Sequence, residues 1–446
     1  MVQDNTTRPV RVWYDSAHAS LCLLGTYLRR TGFFVPLEGR VCLPQKTLKY
    51  TPVQKLERFF VALLAGAKAV SQTNSTLGVD PALCRAFGLP GCADQSVIAA
   101  TLSAATEADV LALQGAVGET VRRFGQAIRQ DLATEVLVLD VDLSPLPASR
   151  QAEGSERGYM GRCRSKTGRK LVRVRAAQSQ ETVWETVVPG RTAERLPVLQ
   201  EAVTQAEQLL GLAGEDESAQ RKRGRVELRL DSGWGSTLMI TWLLARGYQV
   251  TGTFKSTSRV RTLVRGITEW QPTSSPGREV AVVKEPVSFA RPLAKSAIRT
   301  PSKEKAGGYY QAVLFTTGTE LGMLAVVDHS DGRAGIEADV KGDKRGLGLA
   351  VIRKRRLSAE RLVVLLTQLA HNVLIWSRRW LASQAPRLRA CGIVRLVQEV
   401  WTVPGRVKMS AEAVQRVRLC HDHPRARDVC CGFRPLLASS QTLGFW

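Results

Sequence analysis

The chain has 446 residues, 44% of them hydrophobic, enough for a sizeable core and, at ordinary domain sizes, for about two to four domains. It has 63 Lys and Arg against 40 Asp and Glu, a net charge of +23 with a pI near 10.1, and residues 341–446 alone hold 20 of the cations against 6 acids. A surplus of that size argues for a polyanionic partner, because each neutralised phosphate releases condensed counterions.

No apolar run approaches the roughly 18 residues that cross a bilayer. The opening MVQDNTTRPV lacks the basic start and apolar core of a signal peptide. A cytoplasmic, nucleoid-associated protein without a membrane partner is therefore expected. Nine irregularly spaced cysteines in a chain this long point to reduced thiols rather than a disulfide framework. Cys420, His421, His423, Cys430 and Cys431 lack the CxxC spacing that sets two ligands around one zinc ion.

Residues 1–130 read as a helical N-terminal region. VQKLERFFVALLAGAKAV (53–70) has apolar residues at helical spacing, Asp94 can cap a helix in DQSVIAATL, and the stretch from Glu107 continues the pattern. At EVLVLDVDLSPLP the texture changes, and a first α/β segment is expected over 131–256. Val136 to Leu139 predict a buried strand, 170–176 and 182–188 two more, and about 198–210 a helix stopped by Gly211. RVELRLD, SGWGS, TLMITWLLAR and YQVTGTF then read as strand, turn, helix and strand, with Gly247 as the stop. Residues 257–305 look like a β-rich insertion. The α/β segment resumes over 306–381 with a strand at 309–317, the helix of Glu337 and a long buried helix at 357–381, before a basic C-terminal region at 382–446 expected to be helical. The fold class is thus α/β, a mixed sheet flanked by helices, with a β-rich insertion and helical N- and C-terminal regions.

Four carboxylates invite chemistry. Asp140 and Asp142, two apart in a strand, share a face. Asp231 ends another strand before a glycine-bearing turn, where open α/β sheets form their active crevice. In DGRAGIEADVKGDK, Glu337 stands between Arg333 and Lys344 on one helical face, with Lys341 near its edge. Each has a plainer reading: Asp140 or Asp142 can cap the turn at Ser144 and Pro145, Asp231 can cap the helix near Ser236, and Glu337 can form surface ion pairs. Converging acids repel one another unless cations intervene, and hard oxygen ligands suit Mg2+ or Mn2+, most usefully as two ions at a phosphodiester.

The order strand Asp, strand Asp, helix Glu resembles the bacterial insertion-sequence transposases with a ribonuclease-H-like catalytic domain. These are the DDE enzymes, and the likeness is to their cut-and-paste branch, whose third motif reads Tyr-x2-Arg-x3-Glu-x6-Lys. Arg333, Glu337 and Lys344 match its last three members, LDVDLS is similar to the first-aspartate strand and RLDSGWG to the second motif. Ser330 departs from the pattern at the tyrosine position.

The resemblance, spanning about residues 50–440, implies a ribonuclease-H-like core with catalytic, metal-binding Asp142, Asp231 and Glu337. Asp140 stands as the alternative first aspartate. It also implies DNA contacts at Arg333, Lys341, Lys344 and Arg345, and an N-terminal region that grips DNA. The implied cofactors are two Mg2+ or Mn2+ ions. The implied partners are double-stranded DNA, as terminal inverted repeats and target, and a second copy of the chain when paired ends are bound. The basic glycine-rich stretch 154–170 lacks a GxxxxGK[ST] loop and reads as a hairpin near DNA, and IRKRR (352–356) as a solvated or phosphate-contacting loop.

Overall fold

The computed structural model describes residues 11–47, 49–158, 160, 166–191, 195–283, 289–302, 308–410, 413–437 and 442–445. Parts of the expected basic hairpin (161–165) and of the insertion (284–288 and 303–307) lie outside the described residues. The chain divides into two compact units, one within 1–124, 151–153 and 339–446, the other within 125–150 and 154–338. The second half of the expected α/β segment is split by this division: its strand belongs to the second unit, and its long helix to the unit of the chain ends.

In chain order the described strands are β1 (Arg11–Ser16), β2 (Leu137–Pro147), β3 (Glu156–Arg157), β4 (Thr167–Ala176), β5 (Glu181–Pro189), β6 (Val226–Leu230), β7 (Gln249–Thr253) and β8 (Gln271–Pro272), followed by β9 (Glu279–Val282), β10 (Ala294–Pro301), β11 (Tyr309–Thr316), β12 (Gly405–Ser410), β13 (Ala413–Leu419) and β14 (Thr442–Phe445). The helices that matter below are α1 (Ala19–Arg30), α2 (Pro52–Leu64), α3 (Glu107–Phe124), α4 (Leu196–Leu210), α5 (Thr237–Ala245), α6 (Met323–Asp331), α7 (Ala334–Gly346) and α8 (Leu357–Ala382).

In the second unit β5, β4 and β2 form an antiparallel run, and β6 and β7 add in parallel beyond β2. This is the expected mixed sheet flanked by helices. α4, begun by Pro197 and stopped at left-handed Gly211, packs on β4 and β5, and α5, capped by Ser236, packs on β7. The insertion does supply strands, and β8, β9 and β10 extend the same sheet through β11 rather than forming a separate one. Ser258–Arg265 within it is helical.

β2 runs through Pro145 and Pro147, a place a central strand avoids because proline lacks the ladder N–H. Register explains it. β6 pairs with β2 only as far as Val141 opposite Leu230, so among the described residues the later half of β2 has its strand partner on the β4 side. The next residue on each of the two parallel strands is an aspartate, Asp142 and Asp231.

In the first unit α2 starts with a full capping box, Thr51 accepting from the Gln54 N–H and Gln54 from that of Thr51. α8 is buried along nearly its whole length, with Trp376 on Phe124 at the end of α3 and His371 bonded to Asp343 at 2.8 Å. The C-terminal region is not the expected helical segment. β12, β13 and β14 join β1 from the other chain end in a four-stranded sheet, and helix is confined to short pieces such as Ala426–Phe433. The physical reason is visible in the burial: Val407, Met409, Val414, Val417 and Leu419 fall on one face at strand spacing and pack against α1.

Candidate active site

The sheet face that carries Asp142 is crossed by charge. Asp140 lies opposite Arg175 of β4 and Arg229 of β6, and Asp142 opposite Arg173 of β4. These positions are buried, so the charges need partners. Asp140, with no exposed surface, accepts from Arg175 at 3.1 Å and from Arg229 at 2.7 Å, and Arg173 pairs with Glu185 of β5 at 2.6 Å. Burial pushes the Asp140 carboxyl up against the pull of the two guanidiniums. On the far side of β6, Glu227 accepts from the Thr251 hydroxyl and is bonded to His329 Nε2 at 2.7 Å. Burial opposes its charge, but the bonds to His329 and Thr251 prevail and hold its carboxyl below the usual range.

The arginines on Asp140 also set the helices above them. Arg229 donates from Nη1 to the carbonyl of His329 near the end of α6, and a Cβ on Gly332 would come within 2.5 Å of that same nitrogen. A Cβ on Gly335 would meet Arg175 at 3.2 Å. Glycine at both positions lets the turn between α6 and α7 settle onto guanidiniums that Asp140 keeps in place. Ser330 belongs to α6, and Arg333 sits in this turn rather than on a continuous helix with it.

That turn brings Arg333 to the carboxylates. Its Nη1 donates to Asp142 Oδ1 at 3.0 Å and its Nη2 to Glu337 Oε1 at 2.7 Å. Asp142 is 5% exposed, and its Oδ2 accepts from the Ser144 hydroxyl at 2.8 Å. Asp231 accepts through Oδ1 from the N–H groups of Gly233 and Trp234 at 2.9 and 3.3 Å, so it holds its own turn, while Ser236 caps α5. Gly235 is required there: a Cβ would collide with the carbonyl of Thr253. Burial first, and the charge of Asp142 second, push the Asp231 carboxyl up to about 6, against the pull of Arg333 and the two backbone N–H groups. Burial works against the charge of Arg333, but Asp142, Asp231 and Glu337 outweigh it and raise its pKa.

The structure therefore brings Asp142, Asp231 and Arg333 together, with Glu337 tied to them through Arg333. The Glu337 side chain is 60% exposed, and among the described residues no three acidic, His or Cys side chains gather closely enough to hold a metal ion as they stand. The donor chemistry nonetheless fits a hard divalent cation. The buried Asp142 and the half-buried Asp231 repel each other, Asp231 has Oδ2 outside the described hydrogen bonds, and one guanidinium supplies positive charge between Asp142 and Glu337. Lys341 and Arg345 are exposed on the later half of α7 and Lys344 is half-buried there.

Arg173, Arg175 and Arg229 are part of this arrangement and absent from the motif reading. The signal for them was present: KLVRVRA sets Arg173 and Arg175, and VELRL sets Glu227 and Arg229, at alternate positions between apolar residues.

No protein-family model matches the chain, and no curated protein sequence matches it. Among solved structures it is similar to a piggyBac transposase determined by cryo-electron microscopy as a synaptic complex with hairpin DNA. The TM-score is 0.45 at 13% identity, over 86% of this chain and 79% of that one.

Proposed function

We propose that the chain is a DNA transposase that cuts strands at the ends of an element and joins them to target DNA, with Asp142, Asp231 and Glu337 as ligands of two Mg2+ or Mn2+ ions. The observation that supports it is the placing of Asp142 and Asp231 side by side, each one residue past the last pair of the parallel β2–β6 ladder, with Arg333 and Glu337 over them. When bound, the ions supply an activated attacking oxygen and neutralise the leaving one.

The chain's own groups do the rest. Ser144 orients Asp142, the Gly233 and Trp234 N–H groups orient Asp231, and Arg333 holds charge on the acids until cations arrive. Released from Asp142 and Glu337, the Arg333 guanidinium turns to a phosphate oxygen, for which its planar fork is suited. Lys341, Lys344 and Arg345 bind phosphates flanking the scissile bond. Asp142 rather than Asp140 is the first ligand on this reading, because Asp140 is already committed to two guanidiniums. Water attacks at the inverted repeats of double-stranded DNA, the freed 3′-hydroxyl attacks the target, and two copies of the chain hold the paired ends.

A second reading, a DNA-binding protein without chemistry, is favoured by Ser330 at the tyrosine position and by Glu337 bonding to Arg333 instead of approaching Asp231. Nicking of a supercoiled plasmid bearing the DNA that flanks the coding sequence separates the two. With Mn2+, wild type nicks it and leaves 3′-hydroxyl ends, while Asp142→Asn and Asp231→Asn lose on the order of a thousandfold in rate. Equal rates for all three proteins refute the assignment.

A further inference from the structure

The four-stranded sheet made by the two chain ends has one face packed on α1 and another that the proposed chemistry does not use. Its outer rows are set by register: Trp13 lies opposite Lys408, which lies opposite Arg416, and Asp15 lies opposite Arg406, which lies opposite Arg418. Alternation puts all six on the side away from Val407, Met409, Val417 and Leu419. Four cations and one acid thus surround one aromatic ring. The acid, Asp15, pairs with Arg406 at 3.2 Å at the exposed rim. Among the described residues no carboxylate comes within ion-pair distance of Lys408, Arg416 or Arg418. Instead Arg418, Arg406 and Lys408 stand 5.2, 5.8 and 5.8 Å from the centre of the Trp13 ring.

Cations crowded at the surface with a single acid among them repel one another, at a cost that a polyanion removes. The indole of Trp13, on the edge strand β1 beside those cations, selects the form of that polyanion. Bases in a duplex are stacked on one another and offer a half-buried indole no free face to stack on, whereas an unpaired strand presents both phosphates and free base faces. A membrane surface is a poorer match, since anchoring there uses an apolar face and this one has a single aromatic in a cationic field.

We infer that the outer face of this terminal sheet binds an unpaired nucleic-acid strand, with phosphates on Arg406, Lys408, Arg416 and Arg418 and a base stacked at Trp13. The inference goes beyond the cleavage chemistry and shares no residue with it. Binding is measured with divalent ions chelated, so that a failure of the nicking assay leaves it untouched.

The test is fluorescence anisotropy of the full chain with a short labelled oligodeoxythymidylate and a duplex of equal length, over a range of salt. For the triple variant Lys408→Gln, Arg416→Gln, Arg418→Gln the slope of log affinity against log salt falls by about 2 for the single strand, at roughly 0.7 for each phosphate no longer neutralised. Trp13→Ala weakens the single strand about tenfold and Trp13→Phe restores most of it. An unchanged slope in the triple variant overturns the inference, as does wild-type affinity in a Trp13→Ala protein that melts like wild type. So does an equal loss for duplex and single strand, or a preference for phosphatidylserine vesicles over the oligonucleotide.

Discussion

Asp140 and Asp142 are the same residue type two positions apart on one strand face, yet their surroundings give them different work. Asp140 is enclosed by Arg175 and Arg229, and removing it leaves two buried guanidiniums facing each other. Asp140→Ala is expected to cost about 3–5 kcal/mol in urea unfolding, the usual penalty for breaking a buried pair from one side. Asp142→Ala removes one of two neighbouring acids and relieves the repulsion on Asp231, so its cost is expected to be well below that of Asp140→Ala. Equal losses in the two variants contradict this division.

Asp231 provides a pH signature. Its carboxyl is held up at about 6 in the folded chain, above the ordinary 3.8, so the folded state prefers the protonated acid. The stability this gives is complete below the ordinary value and is lost as pH rises through about 6. A shift of that size amounts to on the order of 3 kcal/mol before solvent screening reduces it. Asp231→Asn, which cannot ionise, is therefore expected to raise the melting temperature at neutral pH and to change it little in acid. A melting temperature that rises by the same amount at both pH values contradicts the cause assigned here.

At the scale of elements, the turn after β6 and the turn before α7 depend on glycines for different reasons. At Gly235 the obstacle is backbone, the carbonyl of Thr253, and at Gly332 it is a guanidinium that Asp140 prevents from moving. Gly235→Ala is expected to destabilise by about 1–3 kcal/mol and to displace Asp231, read as loss of nicking with the fold retained in circular dichroism. Nicking at the wild-type rate counts against that placement.

These elements were unequally legible in the sequence. The apolar run at 136–139, the helix ending at Gly211 and the strand before Asp231 follow local rules of period and capping, and all appear in the structure. The arginines on Asp140 were not legible as partners, because they come from β4 and β6, and only pairing register sets them beside it. Glu337 follows the motif spacing to Arg333, but spacing along a helix does not say whether its carboxylate turns to a guanidinium or to Asp231, and the structure shows the former.

For the whole molecule, the principal misreading was the C-terminal region. Its high charge masked a period of two, with Val407 and Met409 on β12 and Val417 and Leu419 on β13 alternating with cations. No local rule joins those strands to β1, nearly 400 residues away, and such pairing is paid for in loop-closure entropy before any contact forms. Deleting residues 405–446 removes the sheet partner of β1 among the described residues. The truncated chain is expected to be cut by trypsin near Arg11 and Arg29 under conditions where the full chain resists. Equal resistance contradicts the pairing. No single helix among the described residues is long and apolar enough to cross a membrane.

The proposed chemistry requires Asp142, Asp231 and Glu337 to share divalent cations, and titration calorimetry with Mn2+ at neutral pH tests this without DNA. Wild type is expected to bind with a saturable heat that Asp142→Asn and Asp231→Asn each abolish and Glu337→Gln weakens, while Lys408→Gln leaves it unchanged. Undiminished Mn2+ binding in Asp142→Asn and Asp231→Asn, or none in wild type, contradicts the account.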